Sequence, residues 1–187
     1  MRVIVHTGKG GVGKSTVAVN LALALLAEGA TVGLLDADIY GPSQPTMLAT
    51  AGQKPTIEDK MFVPIQSYGI KTMSIGYLVD GAAPLVWRGP MIGKAMEQML
   101  NETSWGSLDY LVIDLPPGTG DIQLTLCQKV PVSGAIIVTT PQDLALIDVR
   151  RACEMFAKLH VPILGVVENM SMFHCPQCGH EEKIFGE

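Results

Sequence analysis

Charge is scarce in this chain, and rings are scarcer. Of 187 residues, 17% are charged and 5% aromatic, against 48% hydrophobic. With so few aromatics, Val, Ile, Leu, Met and Ala must build the core, a balance suited to a parallel sheet covered by helices. Lys and Arg form no run and the net charge is −5. That argues against a direct nucleic-acid footprint, so no nucleic-acid partner is expected. Long apolar runs are also missing. The longest, LALALLA at 21–27, falls far short of the roughly 20 residues a membrane-spanning helix needs, so no membrane partner is expected. The N-terminus runs straight into RVIVH with no leader-like layout, which points to the cytoplasm. In such a reducing compartment the four cysteines read as thiols or metal ligands rather than disulfides. Neither an internal repeat nor a low-complexity linker divides the chain, so residues 1–187 are expected to form a single domain.

What is present alternates. VIV at 3–5, TVGLLDAD at 31–38, YLVIDLP at 110–116, GAIIVTT at 134–140 and ILGVVEN at 163–169 read as strands. The segment 63–78 reads as a pair of short strands, and 41–60, rich in Pro, Gly and Thr, as loop. Helical spacing covers 14–28, with Val17, Leu21 and Leu25 on one face and Gly29 closing it. Further helices are expected over 90–101, 121–130 and 142–160, the last with Ala145, Val149, Ala152, Phe156 and Leu159 on one side. Such alternation implies βαβ units and a mostly parallel sheet with helices on both faces. Polar clusters fall at the carboxyl ends of these strands, where such sheets bind ligands. The chain stops at IFGE soon after its last strand, so at least one further strand and helix are expected beyond it: a C-terminally truncated α/β fold.

Residues 8–15 fit G-x-x-x-x-G-K-S/T between a strand and a helix, the context a phosphate loop requires. Gly8 opens the pattern. Gly10, Gly11 and Gly13 let the backbone, with Val12 between them, wrap phosphate oxygens, and the helix N-terminus favours anions. Lys14 is expected on the β- and γ-phosphates, Ser15 on Mg²⁺ and Thr16 on the α-phosphate. Asp114, ending YLVID, is the acid expected to hold magnesium through a water. After it, Pro116 and Pro117 stiffen a turn, and the Gly118 N–H is placed to sense the γ-phosphate. Asp36 and Asp38 end the second strand. Asp38, lying further out, is chosen to position or activate the attacking water, against the plainer reading of two loop acids without a role. Lys9 has no task in a single chain.

GKGGVGKST, with a lysine at its second position, resembles the deviant Walker A motif of dimeric P-loop ATPases, a group that includes nitrogenase iron protein and the partition ATPases. LLDADIYGPSQP, WRGPM, LDYLVIDLPPGTGD, VTTPQDLAL, GVVENMS and CPQCG, in this order, resemble more narrowly the Mrp family of iron–sulfur cluster carrier ATPases, over essentially the whole chain. The resemblance implies slow ATP hydrolysis by a homodimer and a P-loop NTPase fold. It implies that Lys9 contacts the phosphates in the opposite subunit. It places Asp38 in a first switch and Asp114 to Asp121 in the Walker B acid and second switch. Asn169 would hydrogen-bond the adenine. Cys175 and Cys178 would bind a 4Fe–4S cluster received from a scaffold or donor and passed to apo iron–sulfur proteins.

HCPQCGH at 174–180 supplies two thiols, whereas a closed zinc site or a 4Fe–4S cluster takes four ligands. Cys127 and Cys153 sit in helical segments and read as packing residues. A two-fold dimer supplies the missing pair, because an isologous interface brings the same residues together. Zinc in the same pair, or a redox role, stays open beside the cluster. Two other classes remain as well: an ATPase that positions itself on a membrane or DNA, and a zinc-bridged nucleotide-binding scaffold.

Overall fold

The computed structural model describes residues 1–39, 41–78, 89–118 and 121–185. Arg88 of WRGPM, and Thr119 and Gly120 of the expected second switch, lie outside the described residues. The chain opens with strand β1 (Arg2–Gly8), helix α1 (Lys14–Ala27) and strand β2 (Val32–Asp36). A helical turn α2 (Gln44–Met47) and the small hairpin of β3 (Ile57–Glu58) and β4 (Met61–Phe62) interrupt the segment expected to be loop. Then come β5 (Ile65–Ser67), β6 (Ile70–Ser74), the turn α3 (Ile75–Leu78) and helix α4 (Gly89–Asn101). The second half runs β7 (Tyr110–Asp114), α5 (Asp121–Lys129), β8 (Val132–Thr139), α6 (Asp143–Lys158) and β9 (Ile163–Glu168). Two short strands, β10 (Phe173–His174) and β11 (Glu181–Glu182), form a separate antiparallel hairpin.

The main sheet has seven strands in the order β5-β6-β2-β7-β1-β8-β9. All its pairs are parallel except β5 with β6. One face packs on α1: Ala18, Val19 and Ala22 meet Val32, Leu34, Ile70 and Val112. The other carries the larger core, in which Met96 and Met99 of α4, Leu126 of α5 and Phe156 of α6 cover Val5, Leu35, Ile113 and Ile137. Helices therefore lie on both faces, as the alternation implies.

Three local expectations need correction. On α1, Val17, Leu21 and Leu25 are only half-buried, and the fully buried stripe is the small set Ala18, Val19 and Ala22. The helix is apolar nearly all round, so spacing alone cannot select the face. Small side chains let its axis approach the sheet, and they win. Gly29 does close the helix: with φ +89° its N–H donates to Leu26 O and that of Ala30 to Leu25 O, the paired bonds of a left-handed cap. The second correction is at 75–78, expected as strand. Ser74 Oγ accepts the Gly76 N–H at 3.0 Å, the capping bond that favours a helical turn over an extended chain. Third, α2 forms within 41–60, aided by Pro45 in its first turn.

Candidate functional site at the carboxyl ends of the strands

The loop between β1 and α1 is shaped by its glycines. A Cβ on Gly8 would stand 2.3 Å from the Val138 carbonyl oxygen of β8, and one on Gly13 would stand 2.4 Å from Asn169 Nδ2. Gly11 and Gly13 both adopt positive φ, +83° and +78°, which side-chain-bearing residues rarely tolerate. Val12 is buried beneath the loop. Asn169 pins it from the side, its Nδ2 donating to Val12 O at 2.9 Å while its backbone N–H donates to Thr139 O. The expected adenine residue is thus in part a loop fastener.

The loop lines an open cleft. Lys9, Gly10, Gly11, Gly13, Lys14, Ser15 and Thr16 form one wall, and Asp38, Ser43, Met47 and Pro117 the other. Lys9 is half-buried, and among the described residues no carboxylate pairs with it. Asp38 is half-buried, and its Oδ1 has no hydrogen-bond partner. Thr16 is exposed with its Oγ1 near Met47 Sδ. Gly118, at φ +97°, follows Pro117 at the cleft's edge.

Beneath the cleft the register lines up a polar row across four strands. Ser74 pairs with Asp36, Asp36 with Asp114 and Asp114 with His6. All four are fully buried on the α1 face. Lys14 folds back from the start of α1 to form an ion pair with Asp114 Oδ1, while Gln44 Nε2 donates to Oδ2 at 3.0 Å. His6 Nδ1 stands 3.8 Å from Oδ1, beyond hydrogen-bond length, so it acts as a nearby N–H dipole rather than a formed bond. Burial pushes the Asp114 carboxyl up, but the His6 dipole, the Lys14 charge and the Ser15 hydroxyl outweigh it and hold the group below the usual range.

Asp36 shows the opposite balance. Its oxygens accept from the Asp38 N–H (3.1 Å), the Gln44 N–H (3.2 Å) and Ser74 Oγ (3.1 Å). Burial, followed by the charge of Asp114, still raises it to about 7. Asp36 is the buried support, and Asp38 is the acid that reaches the cleft. His6, Gln44 and Ser74 are not among the residues expected from sequence. His6 is a polar residue ending an apolar run, a signal that was available. Gln44 falls in the segment expected to be loop, where the structure instead forms α2, and so carried none.

The cysteine pair lies in the β10–β11 hairpin. Cys175 N–H donates to His180 O at 2.8 Å, and Gly179 N–H donates to Cys175 O at 2.9 Å. Backbone N–H groups of Cys178 and Gln177, and the Cys178 thiol, hold the Cys175 thiol below its ordinary value, which favours the thiolate that binds metals. Cys175 is half-buried and Cys178 exposed. Among the described residues no group of three or more His, Cys, Asp or Glu gathers to hold an ion, so one chain presents two thiols and no third ligand. Cys127 is buried, its thiol pushed up to about 11 by burial, and Cys153 packs on the same core; both match the packing reading. No helix among the described residues is long and apolar enough to cross a membrane.

A parallel sheet with a glycine loop leading from its first strand into a helix, and an acid on the neighbouring strand, defines the P-loop NTPase class. Within it, the chain belongs to the ParA-type NUBPL iron-transfer P-loop NTPase family, whose model matches residues 1–187. It is 62% identical over 187 residues to an iron–sulfur cluster carrier protein of Pseudomonas fragi, covering 99% of this chain and 65% of that one. Against the iron–sulfur cluster transfer protein NUBPL of Mus musculus the identity is 55%, covering 98% of this chain and 58% of the other. The chain thus spans roughly half to two-thirds of the length of these relatives. A nucleotide-binding protein from Archaeoglobus fulgidus, solved in complex with ADP, superposes over 100% of this chain and 73% of its own, at TM-score 0.86 and 42% identity. The septum site-determining protein MinD of Pyrococcus horikoshii shares the fold, at TM-score 0.64 and 24% identity over 90% of this chain and 70% of its own.

Proposed function

We propose that this chain binds ATP in the cleft above Asp114, hydrolyses it slowly, and as a homodimer carries a 4Fe–4S cluster to apo-proteins. One observation carries the nucleotide half: a glycine loop, a lysine and two acids of opposite condition converge on a single cleft. Asp114 is ionised and gripped, whereas Asp38 offers a free oxygen. Lys14 leaves Asp114 for the β- and γ-phosphates, and the loop N–H groups take the remaining phosphate oxygens. Ser15 and Asp114 are placed to hold Mg²⁺, which on binding would neutralise phosphate charge; the Ser15 hydroxyl already faces the Asp114 carboxylate. Asp38 orients the water that attacks the γ-phosphorus. The new P–O bond forms as the bond to the bridging oxygen breaks, leaving ADP and phosphate. Thr16 serves the α-phosphate, the Gly118 N–H senses the γ-phosphate, and Asn169 retains a second amide hydrogen and its carbonyl oxygen for the base. Lys9, which pairs with no carboxylate among the described residues, reaches the nucleotide of the second subunit.

The cargo half rests on the Cys175–Cys178 hairpin. Two thiols with a lowered Cys175 and no third ligand suit a site completed by a second copy. A cluster donor and apo iron–sulfur proteins are its partners, a reading supported by the names of the relatives. The experiment is anaerobic reconstitution with iron and sulfide counts on wild type and Cys175→Ala, alongside an ATPase assay. About four irons per dimer in wild type and none in the variant is expected. Equal counts in both would remove the cluster, and zinc in place of iron would select the scaffold reading.

A further inference from the structure

That mechanism gives no task to the buried ring beside Asp114. His6 ends the apolar run of β1, is fully buried, and neither of its ring nitrogens has a hydrogen-bond partner. Buried polar atoms are normally satisfied, and an unsatisfied one is destabilising. Stability alone would favour an apolar side chain here.

The surroundings say what the imidazole waits for. Strand register sets His6 beside Asp114, with Nδ1 3.8 Å from Oδ1. The two oxygens of Asp114 differ in occupancy. Oδ2 is held by Gln44, the first residue of α2, which the nucleotide reading does not displace. Oδ1 is held by Lys14, the one partner that the nucleotide reading requires to depart. We infer that His6 is the reserve partner of Asp114: as the Lys14 ammonium turns to phosphate, the His6 Nδ1–H closes the gap and donates to the vacated Oδ1.

The inference rests on the cleft being a nucleotide site. It needs no change of charge, because a neutral imidazole with its proton on Nδ1 is already a donor. Its effect is on the exchange of Lys14. A buried carboxylate oxygen that loses its donor with nothing in its place would hold the lysine back. With His6 in reserve, Asp114 keeps its orientation beneath the cleft while Lys14 is away. His6 touches no substrate and is a positioning residue acting through Asp114.

The test begins with ADP and Mg²⁺ titrated into the full wild-type chain. Absence of binding there would bring down the nucleotide reading and this inference with it. Given binding, His6→Leu is expected to weaken ADP affinity about tenfold, the value of one hydrogen bond to a charged group. Its nucleotide-free melting temperature should change little, because the 3.8 Å gap to Asp114 leaves no formed bond to lose, whereas a purely structural histidine would show its effect there. His6→Gln, which keeps an N–H donor, should recover most of the lost affinity. Wild-type affinity in His6→Leu, or a loss of nucleotide-free stability with affinity unchanged, overturns the proposal. Should His6→Leu not fold, ¹⁵N spectra of the wild-type imidazoles decide. ADP and Mg²⁺ should bring a hydrogen-bonded Nδ1–H signal from His6, and an unaltered His6 resonance overturns the proposal equally.

Discussion

Two regions of this molecule hold its chemistry, and they are built on opposite terms. The phosphate-loop end is buried and crowded. Ser74, Asp36, Asp114 and His6 sit side by side across four strands with no exposure, and Lys14 and Gln44 close on them from above. The cysteine hairpin is a two-strand ribbon on the surface, its residues largely exposed, joined to the rest by chain rather than by core. In the first region stability and function draw on the same bonds. In the second they are separable. Substitutions should therefore split: those that break a formed bond of the row (Lys14, Asp36) change folding and nucleotide binding together, those at the hairpin change cargo alone, and His6, which has no formed bond to lose, stands apart.

The largest effect is expected at Lys14. Lys14→Ala strips a buried carboxylate of its cation and should lower the urea-unfolding free energy by about 3 kcal/mol while abolishing ATP binding. Undiminished stability would mean that Asp114 is solvated in solution and that the row is not the rigid support described above.

Next comes a pH effect carried by Asp36. Its carboxyl is raised from 3.8 to about 7, so the folded chain binds a proton more tightly than the unfolded chain. The associated stability is full below the unfolded value and is lost as pH rises through about 7. In magnesium-free buffer, the melting temperature should fall between roughly pH 4 and 7 and level off above. Asp36→Asn should flatten that slope. The slope and not the level is diagnostic, since an amide facing three donors lowers stability at every pH.

Asn169→Ala is milder. It removes one half-exposed hydrogen bond to Val12 O and should cost about 1 kcal/mol of stability. ADP affinity should fall further, because the loop loses its fastener, and amide exchange at Val12 and Gly13 should quicken. A variant with wild-type exchange in the loop would confine Asn169 to the base pocket.

How much of this contrast was legible in the sequence depends on the reach of the forces. The loop, its helix and the strand order class follow from local pattern: glycines where φ is positive, an apolar run before them, an acid ending YLVID. The ranking of Asp36 and Asp38 by distance from the strand was readable too, because Asp36 ends β2 and is buried by its register, whereas Asp38 lies beyond the strand at the cleft wall. The polar row was not readable. Gln44 reaches Asp114 across 70 residues, and His6 across 108, and only the parallel pairing of β1, β2 and β7 brings them together. The face of α1 was misread for a related reason. An apolar helix shows its buried side only when the sheet beneath it is known. The cysteine pair was legible as a C-x-x-C motif, but the β10–β11 hairpin that carries it was not: strands of two residues each leave no alternating pattern to read, and backbone bonds between near neighbours close the ribbon.

At the hairpin, Cys175→Ala should leave urea stability within about 0.5 kcal/mol of wild type, as surface substitutions usually do, while removing the cluster. A large stability loss there would show that the hairpin is anchored and that the two regions are not separable.

The smallest effect on stability, with function affected all the same, is expected at Lys9. It lies on the wall of the cleft, but its ammonium pairs with no carboxylate among the described residues, so Lys9→Ala has no folded-state bond to lose and should not shift the melting temperature. Within one chain, Lys14 already accounts for the phosphate charge, so ADP affinity should change little. If Lys9 completes the site of a second subunit, hydrolysis should fall at least tenfold and the nucleotide-dependent increase in mass by light scattering should vanish. Wild-type turnover in Lys9→Ala would sink the cross-subunit role. It would also leave the two regions without a physical link, because the proposed dimer would have to bring Lys9 to a second nucleotide and two hairpins together at once.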